Sequence, residues 1–562
     1  MSRQIFTGAP ASSGVALGFA HRTDRAQAEA EALPRRSTGD PVREITDAFD
    51  AVALRMQKLA ESLRSQGQRE QADIMEVAGF IAADPDLRAT AIGHAERGSP
   101  VTVAVSLAVD SYATTLAGLG DPVLAERATD VRQIGRRVLA WLHGDTDGDT
   151  EGPLVLLAHE IGAADLLEPH APVVAAASVI GGPNSHAAIV ARSLGIPLLL
   201  GIDEIALHHP DGVEILVDAG LATLTIAPGQ TERQAALAAM DAARARREAL
   251  VADRDLPSQT LDGHSVILRA NVATPADAQA ALEAHADGVG LLRTELPFLD
   301  AAAWPSYIQH TAVLGPIFRR LAGRTVTVRT LDYADDKLPP FLAAGRDGER
   351  LGRGLPLMLA APDAFAEQFR AILSAGAGTD LRIMIPMVAG PEELLACHEL
   401  LTKAAAEAGV AEPPLGAMIE LPEAVAAVDS IAAAAGFLSI GSNDLTCQIL
   451  GLDRRDPAAT PATTAHPQVL RAIADVVTAA HRHQRLVSVC GDAAAHPDVI
   501  PLLVGLGCDI LSVAPAALDE VRARVRGLTH ATCVTVVADA MAYTTAEPVR
   551  HLVRQRCVPV VA

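Results

Sequence analysis

The chain has 562 residues, 49% of them hydrophobic and 20% charged, a balance that excludes a disordered polymer and leaves room for about three or four domains. A formal net charge of −22 argues against non-specific binding to nucleic acid. No apolar run reaches the roughly eighteen residues of a membrane span, and the opening segment lacks the apolar core of a signal peptide, so a cytoplasmic location is the expectation.

Residues 1–20 set Gly8, Gly14 and Gly18 among short apolar pieces, which predicts strands and turns. From 24 to 145 the chain is rich in Ala, Glu, Arg and Leu at helical spacing, punctuated only by Pro41, Pro85, Pro100 and Pro122; this predicts a bundle of four or more helices. Between 150 and 228 short strands alternate with helices, for example Leu154–Ala158, Val173–Ala175, Pro197–Leu200 and Val213–Asp218. The expected assembly is an α/β domain of residues 1–20 plus 150–228, interrupted by the helical insert 24–145 and followed by a linker helix over 229–255.

Within 150–228 lies Gly181-Gly182-Pro183-Asn184-Ser185-His186, followed by an apolar run at helical spacing through Ala188, Ile189, Ala191 and Leu194. Ser185 is a candidate helix cap, which puts His186 in the first turn. Unpaired backbone N–H groups at a helix start favour an anion, so an imidazole there is placed to carry a phosphoryl group.

Residues 256–562 contain eight strand-like pieces separated by helix-like stretches: 264–272, 288–294, 325–331, 382–388, 414–421, 437–445, 486–492 and 509–515. Eight β/α units predict a TIM barrel, so the whole chain reads as a multidomain α/β protein. Asn271, Arg293, Arg329, Glu420, Asn443, Asp444 and Cys490 all fall at or just past the C-terminal ends of these pieces, the face where barrel enzymes carry their chemistry. Arg293 and Arg329 offer planar charged forks for phosphate or carboxylate, and Arg454 is a candidate third. Glu420 and Asp444 are hard oxygen ligands suited to Mg²⁺ shared with a phosphate. Lys337, one of only three lysines with Lys58 and Lys403, is a weaker candidate at the same site. The six cysteines show no zinc-finger spacing, and a cytosolic setting disfavours disulfides; Cys490 alone falls on the reactive face.

The segment Gly181–Arg192 resembles the phosphohistidine motif of the phosphoenolpyruvate-utilising enzymes, with Asn184 where threonine is usual. Gly288–Glu295, Val328–Asp332, Gly416–Pro422, Ser439–Thr446, Val489–Asp492 and Asp130–Arg137 resemble, in order, segments of the enzyme I family of the bacterial sugar phosphotransferase system. The resemblance covers essentially the whole chain. It implies a swivelling phosphohistidine domain with an inserted helical domain that docks the phosphocarrier HPr, followed by a barrel that binds phosphoenolpyruvate (PEP). It implies that His186 accepts the phosphoryl group, that Arg293, Arg329 and Arg454 hold PEP with Asn443 and Asp444 beside it, that Glu420 and Asp444 bind Mg²⁺, and that Cys490 protonates the enolate to give pyruvate. It also implies a homodimer through the barrel. A neutral imidazole is a competent nucleophile near neutral pH, and an unperturbed thiol is largely protonated there.

Three segments depart from the family pattern. Tyr333-Ala334-Asp335-Asp336-Lys337 lacks the usual glycine before Asp-Lys, Glu349–Leu357 places Gly354 and Leu357 at arginine positions with Arg353 a candidate substitute by a small shift, and Ala78 stands near a histidine used by some members. The competing expectation is therefore a degenerate enzyme I paralogue with a binding or regulatory role and weak turnover. A dikinase-like metabolic enzyme is disfavoured, because no stretch is long enough for the nucleotide-binding domain such enzymes carry.

Overall fold

The computed structural model describes residues 3–23, 39–65, 69–118, 122–144, 152–167, 172–182, 185–299, 301–333, 339–343, 355–453, 456 and 458–557. The chain divides into two compact units, Met1–Arg246 and Arg247–Ala562.

The first unit is built on a mixed sheet. Its strands are β1 (Gln4–Thr7), β2 (Ala9–Ser12), β3 (Val15–Arg22), β4 (Leu154–Glu160), β5 (Val173–Ile180), β6 (Leu198–Leu200), β7 (Glu214–Asp218) and β8 (Thr223–Ile226), in the order β1-β8-β7-β3-β4-β5-β6-β2. Strands from before and after the helical stretch are thus interleaved. Between β3 and β4 run the helices Pro41–Ser65, Arg69–Ala83, Pro85–Glu96, Val101–Gly118 and Pro122–His143. The apolar run in β4 follows from burial on both faces. Leu154, Leu156 and Ala158 join Phe49, Leu87 and Ile134 of the helices, while Val155 and Leu157 pack with Leu199, Ile215 and Leu224 on the opposite face. Polar ties add to this core: Arg137 Nη2 lies 2.9 Å from Asp165 Oδ1, and Arg136 Nη2 donates to the Glu160 carbonyl at 3.1 Å. Burial alone would raise the Asp165 carboxyl, but Arg137 and Arg136 hold it below its ordinary value.

The helix Gln230–Ala252 is exposed almost throughout, with Ala236 its buried residue. The second unit then forms a closed parallel barrel of β9 (Ile267–Val272), β10 (Val289–Leu292), β11 (Thr325–Arg329), β12 (Asp380–Ile385), β13 (Leu415–Ile419), β14 (Leu438–Gly441), β15 (Val487–Cys490) and β16 (Ile510–Val513), with β16 pairing back onto β9. The predicted α/β multidomain fold and its barrel are both present. Leu291, Met384, Met418, Phe437 and Cys490 fill the barrel interior as a small apolar cluster of their own. The observed strands are shorter than the predicted pieces, and at one of them this moves candidate site residues onto another element. The piece 437–445 stops at Gly441, and Ser442–Leu450 is a helix, so Asn443 and Asp444 sit in its first turn rather than on the strand. Acidic and amide groups suit that position, where backbone N–H groups are unpaired.

Candidate active site

The helix His186–Leu194 begins as the sequence predicts. Ser185 Oγ accepts from Ala188 N at 3.3 Å, and Gly195, left-handed at φ 66°, closes the helix by donating to the Ala191 and Arg192 carbonyls. Ala187, Ala188, Val190 and Ala191 bury one face of this helix in the core shared with the insert helices. His186 is its first residue, where the unpaired N–H groups of the first turn lie. Arg192 Nη1 donates to the Ala11 carbonyl at 3.0 Å, tying the helix to β2. Pro183 and Asn184 lie outside the described residues.

In the barrel, Arg293 follows β10 and Arg329 ends β11. Arg293 is half-buried and its guanidinium has no hydrogen-bond or ion-pair partner among the described residues. Arg329 differs. Its Nη2 lies 2.6 Å from Glu295 Oε1 and its Nη1 2.7 Å from Asp332 Oδ2, while its buried Nε has no hydrogen-bond partner among the described residues. Burial alone would lower this guanidinium, but Glu295, Asp332 and Glu420 hold it above its ordinary value, so it is a permanent cation.

Glu420 follows β13 and is 1% exposed. Its Oε1 accepts from Met387 N at 2.7 Å. Met387 is left-handed at φ 54°, a conformation uncommon for a residue with a side chain, and one of a kind that clusters at functional sites. Burial, with Asp332 and Asp444 adding repulsion, pushes the Glu420 carboxyl up to about 8, against the pull of Arg329 and the Met387 N–H. Gly441 leaves room for this carboxylate: a Cβ there would stand 2.6 Å from Glu420 Oε2. Asn443 pairs with Asp492 in both directions at 3.1 Å, which links the start of the helix Ser442–Leu450 to the end of β15.

Cys490 ends β15 and is 3% exposed. Ser439 Oγ lies 3.2 Å from its sulfur, and the thiol reaches the Ile440 carbonyl at 3.6 Å. Burial pushes the thiol up to about 11, with Ser439 opposing and Glu420 adding to the rise. The sulfur therefore carries its proton across the neutral range. The next residue, Gly491, is at φ 133°, and a Cβ there would meet Ser442 Oγ at 2.3 Å, so only glycine lets β15 end this close to the neighbouring helix.

The structure thus gathers Arg329, Glu420 and Cys490, with Arg293 and Asp444 acting on them electrostatically. Asn271 stands on β9, where its Oδ1 accepts from Ser512 Oγ at 2.7 Å. Arg454, Ala334–Lys337 and the segment 349–354 lie outside the described residues. Glu295, Asp332, Ser439 and the Met387 N–H are site groups that the sequence reading assigned no role. The first two had a signal: each is an acidic residue just after a motif arginine.

Two carboxylates beside permanent cations also bear on a metal. Among the described residues no group of three or more His, Cys, Asp or Glu forms a cage. Mg²⁺ does not need one: it is commonly held by one or two carboxylates plus substrate phosphate oxygens. Glu420 is a buried carboxyl group raised first by that burial and then by Asp332 and Asp444, a group that a cation would draw back to its charged form, and the space above Gly441 that houses it fits that kind of shared site.

A closed parallel barrel with arginines, carboxylates and a thiol at the C-terminal ends of its strands places the second unit among the (β/α)₈ enzymes. Residues 247–530 match the PEP-utilising enzyme PEP-binding domain, residues 7–127 the N-terminal domain and residues 150–221 the mobile domain of the same enzymes. The chain belongs to the PEP-utilising enzyme family. It is 36% identical to the multiphosphoryl transfer protein of Xanthomonas campestris pv. campestris, over 99% of this chain and 67% of that protein. It is 34% identical to the phosphoenolpyruvate-protein phosphotransferase of Streptomyces coelicolor, over 97% of each. To a protein of Escherichia coli K12 named phosphoenolpyruvate-dependent phosphotransferase system it is 30% identical, over 97% of this chain and 74% of that one. No helix among the described residues is long and apolar enough to cross a membrane.

Proposed function

We propose that this chain is a phosphoenolpyruvate–protein phosphotransferase of the enzyme I type: it takes the phosphoryl group of PEP onto His186, passes it to a histidine of a phosphocarrier protein such as HPr, and releases pyruvate. The observation that carries the reading is a buried Cys490 thiol, 3.2 Å from Ser439 Oγ, gathered at the barrel's C-terminal face with the cation Arg329 and Glu420; burial favours the protonated thiol. PEP cleavage leaves an enolate that must receive a proton on carbon, and this site pairs anion recognition with a placed acid.

In this scheme Arg293, Arg329 and Arg454 bind the phosphate and carboxylate of PEP, and Asn443 and Asp444 border it. A neutral ring nitrogen of His186 attacks phosphorus; the P–N bond forms as the bridging P–O bond breaks, and the electron pair stays on the enolate oxygen. The Cys490 thiol then delivers its proton to the methylene carbon, and the thiolate regains one from water. Glu420 and Asp444 would hold Mg²⁺, which would neutralise part of the phosphate charge. The phosphohistidine domain is residues 1–20 with 150–228, the phosphocarrier docks on the insert 24–145, residues 229–255 link the two parts, and the barrel spans 256–562. The resemblance to enzyme I supports a cytoplasmic homodimer.

The test is His186→Ala with labelled PEP. The wild type should retain label and pass it to HPr with release of pyruvate, and the variant should retain none while still binding PEP. Label kept by the variant would remove His186 from the reaction. A wild type that binds PEP but releases almost no pyruvate, even with HPr and Mg²⁺, would favour the degenerate paralogue.

A further inference from the structure

The helix Pro362–Ala375 buries Phe365, Phe369, Ala371 and Ile372, the apolar face expected of a barrel helix, and in the same face it buries Gln368 at 0% exposure. A primary amide out of water is costly unless both of its ends are bonded. Gln368 Oε1 accepts from Leu331 N at 3.1 Å, and Nε2 donates to Thr294 Oγ1 at 3.1 Å. The Thr294 hydroxyl, on a residue 1% exposed, in turn donates to the Arg329 carbonyl at 3.0 Å. The direction of the amide is fixed by its neighbours. Leu331 N–H can only donate, so it must face Oε1, and the Thr294 oxygen, its proton committed to Arg329, must accept from Nε2.

Thr294 is the residue after Arg293, and Leu331 is two residues after Arg329. The bonds of one glutamine therefore tie together the residues just past the two strand ends that carry the arginines. We infer that Gln368 is a positioning residue for PEP: it touches no substrate but, through Thr294 and Leu331, holds the guanidinium groups of Arg293 and Arg329 at the separation that a phosphate and a carboxylate on one small anion require. The inference rests on the proposed PEP-binding role of these arginines. Backbone placement within the barrel does not demand it, since β10 and β11 already pair through Val289 with Val326 and Leu292 with Val328.

The test uses the full chain and compares Gln368→Leu, Thr294→Val, Thr294→Ser and the double variant Gln368→Leu/Thr294→Val. Phosphohistidine formation is followed against PEP concentration, and the Kd for PEP is measured directly by calorimetry. Gln368→Leu and Thr294→Val should each raise KM and Kd about tenfold with kcat within about twofold, the signature of binding lost equally from ground and transition states. Thr294→Ser should restore wild-type values because it keeps the hydroxyl, and the double variant should be little worse than either single one. Unchanged KM and Kd in both single variants, whatever happens to Tm, would overturn the inference. Should Gln368→Leu fail to fold, Gln368→Met, which keeps the length of the side chain without its amide, takes its place, because Thr294 also bonds the Arg329 carbonyl on its own. A wild type that binds PEP but forms no phosphohistidine counts against the proposed function only, since the Kd comparison still decides the role of Gln368; a wild type that binds no PEP overturns both.

Discussion

Arg329 Nη2 lies 2.6 Å from Glu295 Oε1, with the two side chains 10% and 2% exposed. The pair joins the end of β11 to the residue two beyond Arg293 at the end of β10. Removing one member of a buried ion pair is costly because the other charge is left without a counter-ion. Here Asp332 still holds Nη1, so the cost should fall below that of a fully broken pair. Glu295→Gln removes the charge and leaves one acceptor for the Arg329 and Thr294 donors, so it should lower stability by about 1–3 kcal/mol, the range for a buried donor left without a partner. Denaturant unfolding checks this, and an unchanged midpoint would mean that Asp332 alone satisfies the arginine.

Gly441 gives a cleaner probe of the carboxylate than replacement of Glu420 itself. Gly441→Ala puts a methyl group 2.6 Å from Glu420 Oε2, closer than any relaxed contact, and forces the carboxylate aside. The change adds one carbon at a strand end, and because that carbon also stands 2.9 Å from Glu420 Cβ, the end of β13 must shift slightly with the carboxylate. Mg²⁺-dependent phosphohistidine formation should drop by about 10²-fold, the scale of an ångström's misplacement, while Tm stays within a few degrees of wild type. Normal activity in this variant at equal Mg²⁺ would take Glu420 out of the metal site.

The barrel was legible because strands buried on both faces read as apolar runs, and because its polar residues fall where those runs end. Asn443 and Asp444 were placed on the right face but on the wrong element. Ser442-Asn443-Asp444 after a glycine has the polarity of a strand end, and only the backbone reveals the first turn of a helix. Glu295 and Asp332 lay inside the quoted motifs, yet their role as counter-ions depends on distances between neighbouring strands that no linear spacing encodes. Gln368 reads as an ordinary polar helix residue, since periodicity marks which positions are apolar and not which polar ones are enclosed. The left-handed turn at Met387 has no signal in sequence at all, because methionine is not a residue that seeks it.

The thiol separates the two halves of the proposed reaction. Cys490→Ala removes the carbon acid and leaves Arg293, Arg329 and Glu420 untouched. Phosphohistidine should form from PEP at close to the normal rate, and pyruvate should appear about 10²–10⁴-fold more slowly, the usual worth of a positioned general acid. Because burial holds the thiol up at about 11, pyruvate formation in the wild type should not fall as pH rises from 7 to 9 through loss of this proton. Single-turnover kinetics that follow the two products separately decide the matter: equal slowing of both, or of neither, would exclude the thiol as the acid.

A last prediction concerns acid stability and a histidine outside the site. His310, in the helix Tyr307–Arg320, is 0% exposed, has no hydrogen-bond partner for either ring nitrogen among the described residues, and sets its ring edge-on to Phe298 at 4.9 Å. Burial lowers the imidazole from 6.5 to about 4, only partly opposed by Glu367. The sign follows from proton counts. Between pH 6.5 and 4 the unfolded chain binds a proton at this residue that the folded chain does not, so stability is full above the unfolded value and falls as pH drops through the folded one. At pH 5 the linked loss is on the order of 2 kcal/mol for this shift. His310→Phe keeps the aromatic contact, removes two unpaired polar atoms and abolishes the proton linkage. The variant should be more stable than wild type at pH 7, and its advantage should widen by about that amount at pH 5. Urea unfolding at the two pH values measures both effects, and an advantage that stays constant or shrinks on acidification would show that His310 is not a buried neutral imidazole.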